Sequence, residues 1–131
     1  MPESTPKARV ECINPILTIK DMSATLSHYT KVLGFSKAEW THDGSTFGYV
    51  ERDGCGIYLS QGSQGEAGSW VWIGVEDIDA IYEELKSCGA KIIREPTNYS
   101  WACEIRVEDP DCHVLRFGGP PKQDQPFEDK V

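Results

Sequence analysis

The side chains with the most to offer chemically lie on a few short alternating runs. In Trp70–Glu76 (WVWIGVE), strand parity puts Trp70, Trp72 and Gly74 on one face and Val71, Ile73 and Val75 on the other. In Cys112–Phe117 (CHVLRF) it puts Leu115 and Phe117 on a core-like face, with Val114 and Arg116 opposite. Arg116 is then either a solvated strand residue or a charge lining a cavity. Glu104, on the run before the turn Asp109-Pro110-Asp111, stands where it can meet Arg116. A buried guanidinium needs a partner, so the two read either as a structural ion pair or as a pair whose arginine anchors a ligand. Trp70 and Trp72 are not needed for a helix-side core. Aromatic rings on such a face suit planar or cationic ligands; the alternative is that they fill a dimer interface or a closed core. The same parity places Asn14, Ile16 and Thr18, and Tyr58 and Ser60, on the corresponding face of the first half.

Other chemistries find no support. His28 reads as solvent-facing, His42 sits beside a turn, and His113 lies on the helix side or at the turn edge. No two of them share a plausible metal site, and no Ser-His-Asp arrangement follows from their order. The five cysteines (Cys12, Cys55, Cys88, Cys103, Cys112) contain no Cys-x-x-Cys pair, which removes the zinc-knuckle and dithiol readings. They read as ordinary small residues of a reducing cytoplasm. Gly62, Gly65 and Gly68 precede a strand rather than a helix, so that stretch reads as a linker and not as a phosphate loop. Asn98-Tyr99-Ser100 matches a glycosylation sequon, but it has no secretion signal to give it meaning.

With 131 residues the chain has room for one domain or two small halves of one architecture. A net charge of −8 argues against nucleic acid, whose phosphates require clustered Lys and Arg, and is compatible with cationic partners. No apolar run approaches a membrane span. MPESTPKARV has no apolar segment of the signal-peptide kind. The expected setting is cytoplasmic, without membrane or nucleic-acid partners.

Two parallel sets of elements must hold these residues. A polar arm (1–11) leads into the strand INPILTIK, with Asp21 as N-cap of a helix carrying Met22, Leu26, Tyr29, Val32 and Leu33 on one stripe. Gly34 stops it. Strands follow at 35–41, 46–52 and 56–60, separated by Asp43-Gly44 and Asp53-Gly54. After the linker 61–69 the pattern returns. Trp70–Glu76 is a strand, Asp77 caps a helix with Ile78, Ile81, Tyr82, Leu85 and Cys88 on its stripe, and Gly89 ends it. Strands at 90–94, 102–108 and 112–117 complete the second half, and 119–131 reads as a loose tail. Leu17–Ala24 answers Ile73–Ala80, and Leu33-Gly34-Phe35 answers Cys88-Gly89-Ala90 one residue closer. This is an internal repeat of about 55 residues. Trp40, Phe47, Tyr49, Tyr99 and Trp101 are candidates for a rim, with no face assigned.

The opening ILTIKDMSATLSHYTKVLGF and the closing VEDPDCHVLRFG, set in two βαβββ modules (12–61 and 69–118), resemble the vicinal oxygen chelate superfamily of glyoxalases, bleomycin-resistance proteins and extradiol dioxygenases. The resemblance covers about 12–118. It implies an α+β fold in which two tandem modules form an eight-stranded curved, cup-like sheet with helices on its outer face, completed by module pairing in a homodimer. Gly is usual after the EDPD turn; Cys112 stands there. Metal-using members carry His, Gln or Glu on the first and last strand of each module. Those positions fall on Asn14, Tyr58, Trp70 and Arg116, a poor ligand set for a divalent ion. The resemblance is therefore strongest to the bleomycin-resistance branch. It implies a metal-independent binding protein for a cationic small molecule, without cofactor or catalytic residues; with the aromatic face read above, the expected ligand is aromatic and cationic and the candidate ligand-binding residues are Asn14, Tyr58, Trp70, Trp72, Glu104 and Arg116. The alternative is a glyoxalase-like lyase or isomerase, or a dioxygenase, with a non-standard site and Glu104 as base.

Overall fold

The computed structural model describes residues 7–62 and 64–129. Residues 1–6 of the expected arm, Ser63 of the linker and the last two residues of the tail lie outside them. The chain adopts the expected α+β arrangement. Its first half runs β1 (Ile16–Ile19), α1 (Met22–Ser27) with a π-turn continuation over His28–Val32, β2 (Ser36–Lys37), β3 (Phe47–Arg52) and β4 (Cys55–Gln61). Its second half runs β5 (Trp70–Gly74), α2 (Ile78–Ser87), β6 (Lys91–Asn98), β7 (Cys103–Glu108) and β8 (Val114–Gly119). Among the described residues, eight strands divide into two four-stranded sheets, ordered β1-β4-β3-β2 and β5-β8-β7-β6, and form no closed barrel. In each sheet the first strand pairs parallel with the last and the other pairings are antiparallel.

The caps act as their sequence suggests. The Asp21 carboxylate accepts from the Ser23 and Ala24 amides, and Asp77 accepts from Ala80, satisfying amides that have no partner within the helix. Gly34 and Gly89 both take positive φ, the left-handed conformation that ends a helix at little cost. The two helices differ in one respect. The first is one residue longer between its aspartate cap and its glycine stop, and the π-turn absorbs that residue.

Leu17, Ile19, Ile57, Leu59, Ile105, Val107, Leu115 and Phe117 from both sheets meet Met22, Leu26, Tyr29, Ile78, Ile81 and Leu85 in one continuous core. Each such side chain contributes about 1.5–3 kcal/mol by leaving water. Polar contacts between the halves surround that core. The Tyr29 hydroxyl donates to Asp109 Oδ2 at 2.8 Å, and burial together with the Asp109 charge raises its pKa well above the ordinary phenol value. Asp111 Oδ1 accepts from the Lys20 amide at 3.0 Å. Arg52 grips Glu84 through both carboxylate oxygens at 2.7 and 2.8 Å. The segment read as a loose tail is tied back to the sheet. Asn98 accepts from the Lys122 amide and donates to the Lys122 and Pro126 carbonyls, and Asp129 accepts from the Ser100 amide.

Candidate functional site

The strand faces turned away from the helices differ in character between the two sheets. On the second sheet, register places Trp72 opposite Arg116, Arg116 opposite Arg106, and Arg106 opposite Arg94. Side chains in register share a face, so one indole and three guanidiniums form a row across four strands. Glu104, two residues before Arg106 on β7, lies in the next row on the same face and is wholly buried. It accepts from Arg116 Nε and Nη2, each at 2.9 Å, and stands 3.8 Å from Arg106 Nη2. Arg94 donates to the Thr97 and Tyr99 hydroxyls at 3.2 and 3.1 Å. The Arg106 guanidinium lies 5.2 Å from the centre of the Trp70 ring, and that of Arg116 lies 5.5 Å from Trp72. Those are cation–π distances.

Glycine makes room for the larger indole. A Cβ at Gly118 would collide with the six-membered ring of Trp72, so the ring takes the space that a side chain at that position of β8 would fill. Trp70 and Trp72 nevertheless remain 57% and 51% exposed. Tyr99 and Trp101 stack at 4.8 Å and 5° and extend this face beyond Arg94.

On the first sheet the equivalent face is aromatic and almost uncharged. Phe47 and Tyr49 of β3 share it with Tyr58 and Ser60 of β4. Trp40 stacks on Phe47 at 6.5 Å, Phe47 on Tyr58 at 5.4 Å, and Tyr49 leans on Tyr58 at 4.7 Å. Gly56 seats Tyr49 as Gly118 seats Trp72, since a Cβ there would overlap the phenol. Asn14 Nδ2 donates to the Gly56 carbonyl at 2.8 Å, which fixes it just ahead of β1.

The structure therefore brings Trp70, Trp72, Glu104 and Arg116 together on one sheet, and places Asn14 and Tyr58 on the other. The register also supports the equivalence of the two halves, because Tyr58 faces Ile16 as Arg116 faces Trp72. As a metal set, Asn14, Tyr58, Trp70 and Arg116 do not fit. The indole has no lone pair to give, Arg116 is a cation already committed to Glu104, and the Asn14 amide is spent on a backbone carbonyl. No metal-dependent step is derived from them. Glu104, the candidate base, is enclosed and held through both oxygens.

Arg94 and Arg106 were not identified from sequence. Arg106 shares the strand parity of Glu104, and that signal could have found it. Arg94 sits between two register shifts in the β6–β7 pairing, where parity counting fails. One histidine also differs from expectation. His28 is half-buried, with its Nδ1 enclosed and without a partner among the described residues, and its ring meets that of Tyr29 edge-on at 5.6 Å. His113 is wholly buried. Its Nδ1 accepts from the Ser69 amide at 2.9 Å, and its Nε2 meets the Thr18 carbonyl at 2.6 Å; the ring thus ties the linker and β1 to β8. Beside β5 runs a groove of about 820 Å³, lined in part by Asn14, Ile57, Trp72, Ile73, Ile81 and Phe117. It follows the strand's open edge rather than the arginine row.

Comparison with known proteins gives a consistent picture. The model of the Glyoxalase/Bleomycin resistance protein/Dioxygenase superfamily matches residues 12–117. No curated protein matches the chain. Among solved structures, similarity extends to TnmS3, an antibiotic binding protein from Streptomyces sp. CB03234, with 17% identity, 87% of this chain and 99% of that chain covered, and a TM-score of 0.73. It extends to TioX from Micromonospora sp. ML1, with 16% identity, coverage of 83% and 98%, and a TM-score of 0.72. A glyoxalase/bleomycin resistance protein/dioxygenase from Nocardioides is similar at 18% identity, coverage of 93% and 91%, and a TM-score of 0.68. At these identities the likeness is one of fold.

Proposed function

This chain belongs to the Glyoxalase/Bleomycin resistance protein/Dioxygenase superfamily, and from that membership we propose that it is a metal-independent binding protein that sequesters a planar aromatic small molecule. The observation that carries this reading is Trp72, whose ring takes the place of a side chain at Gly118, with the Arg116 guanidinium 5.5 Å from its centre and half its surface open. A ring held in one orientation loses little freedom when a second ring stacks on it. Such a contact contributes about 0.5–1.5 kcal/mol beyond the area it buries. Trp70 offers a second contact of the same kind. That one protein of this fold is described as antibiotic binding supports a ligand of antibiotic type.

A bleomycin-type cationic aromatic is the first candidate, since a net charge of −8 concentrates cations near the protein. Phe47 stacked on Tyr58, with Tyr49 tilted against it, supplies the surface for a cationic group; the arginine row does not. The catalytic alternative is less well supported because Glu104 is locked between arginines. We place the protein in the cytoplasm, a reading with which five unpaired thiols accord. We also infer a homodimer. β1 and β5 each have a neighbour on one side only within the chain, and β5 carries exposed indoles beside an apolar groove. Light scattering at low micromolar concentration tests that part; a monomer would contradict it.

The ligand reading is tested by titrating tryptophan fluorescence with bleomycin and related cationic aromatics, alongside Trp72→Ala. Saturable, stoichiometric quenching that is lost in the variant supports it. Turnover of a glutathione hemithioacetal or a catechol, with no binding across the panel, would favour the enzyme reading instead.

A further inference from the structure

Three arginines opposite one another across neighbouring strands are an unfavourable arrangement. Like charges in register repel, and guanidiniums do not relieve this by losing a proton. Arg94, Arg106 and Arg116 stand in such a row, and among the described residues only one carboxylate reaches it. Glu104 spends both oxygens on Arg116 and touches Arg106 only at 3.8 Å. Glu108, the other acid on this face of β7, is taken by Lys91 at 2.6 Å. Arg94 has two neutral hydroxyls for partners. Arg106 has no hydrogen-bond partner for its enclosed Nε among the described residues. Among the described residues, the face thus sets three guanidiniums against one buried carboxylate, which Arg116 holds at hydrogen-bond distance and Arg106 meets only at 3.8 Å, inside a chain of net charge −8. The three arginines are half-buried, and a network built only for stability would match an enclosed donor such as Arg106 Nε with an acceptor.

Resting on the planar-ligand reading above, we propose that the ligand of this face carries a carboxylate, received by Arg106 with Arg94 beside it. Its aromatic body then lies along Trp70 and Trp72. The geometry suits that class. Arg106 sits over the Trp70 ring, 5.2 Å from its centre, so an acid anchored on its terminal nitrogens keeps an attached ring within reach of the indoles. A guanidinium fork matches a carboxylate through two parallel hydrogen bonds. A cationic head group is excluded from this sheet by the same charges and is left to the aromatic face of the other sheet.

The test is calorimetric titration with two isosteric probes, 2-naphthoate and 2-naphthamide, on the wild-type protein, Arg106→Gln, Arg94→Gln and Trp72→Ala, each first checked for a native circular dichroism spectrum. The acid is expected to bind at least tenfold tighter than the amide at low salt, with the preference shrinking as salt rises. Arg106→Gln should bring the two probes within about twofold while leaving the amide unchanged; a charged bidentate pair is a large part of any such discrimination. Should that variant not fold, Arg94→Gln carries the same comparison with a smaller expected loss of preference. An amide bound as tightly as the acid, or a preference that survives both arginine changes, overturns the proposal. If the amide binds through Trp72 and no acid preference exists, this inference fails while the planar-ligand reading stands. If neither probe binds, both fall.

Discussion

The indole of Trp72 rests on the bare backbone of Gly118, where any β-carbon would overlap the ring. In the other half Tyr49 rests on Gly56 in the same way. Both glycines lie on a last strand beside a large ring, and at both an aromatic takes the place of a side chain on the face away from the helices. Gly118→Ala must therefore lift Trp72. Overpacking of this kind costs about 1–3 kcal/mol, read by urea denaturation. Tryptophan emission should shift with it, and affinity for a planar ligand should fall with retention of the native far-ultraviolet spectrum. Unchanged emission would mean that the ring is not seated there.

Glu104→Gln removes the one carboxylate that serves Arg116 and Arg106. The amide keeps the shape and loses the charge, leaving three guanidiniums in register without a counter-ion. Breaking a buried pair from one side is strongly destabilising, here by about 3 kcal/mol. A loss below about 1 kcal/mol, the range of an exposed ion pair, would show that solvent already screens the cluster.

Cys112 follows the turn Asp109-Pro110-Asp111 at a φ of 64°. A residue with a β-carbon is held in that left-handed region at a cost of about 1–2 kcal/mol, and glycine is not. The side chain is exposed, so little packing is lost on removing it. Cys112→Gly should raise stability by about 1 kcal/mol after the extra entropy of the unfolded glycine chain is counted. A lower thermal midpoint in the glycine variant would contradict this account of the turn.

His28 supplies a pH dependence. Burial holds its pKa below the ordinary value of 6.5, and the charge of Asp109 opposes that only in part. The folded state favours the neutral ring, while the unfolded chain takes up a proton from about pH 6.5 downward. The stability it contributes is present above that pH and is lost as pH falls through the lower folded value. His28→Gln should flatten the decline in that window, measured as the urea midpoint against pH. An identical pH profile in the variant would place the dependence elsewhere.

Much of the fold was legible because it rests on local chemistry. Asp21 and Asp77 cap, Gly34 and Gly89 stop, and the alternation through Leu115 and Phe117 marks the core face. The one-residue slip between the halves was visible in the sequence, but its cause was not: a π-turn at His28–Val32 is a helix of ordinary composition with one residue too many. The division into two four-stranded sheets rests on strand neighbours, which periodicity does not report. At the site, parity found Trp70, Trp72 and Arg116. It missed Arg94, which follows a register shift, and it could not place Trp40, whose contact with Phe47 comes through a loop. The tail was read as loose because its partner, Asn98, lies more than 20 residues upstream.

The central claim is that this protein holds its ligand and does not transform it. Equilibrium dialysis against bleomycin and a panel of planar aromatics, followed by denaturation and mass measurement of what is released, tests it directly. The account predicts stoichiometric retention of at least one aromatic, lost in Trp72→Ala, with the released compound of unchanged mass. A released compound of altered mass, or no retention of any member of the panel, would contradict it.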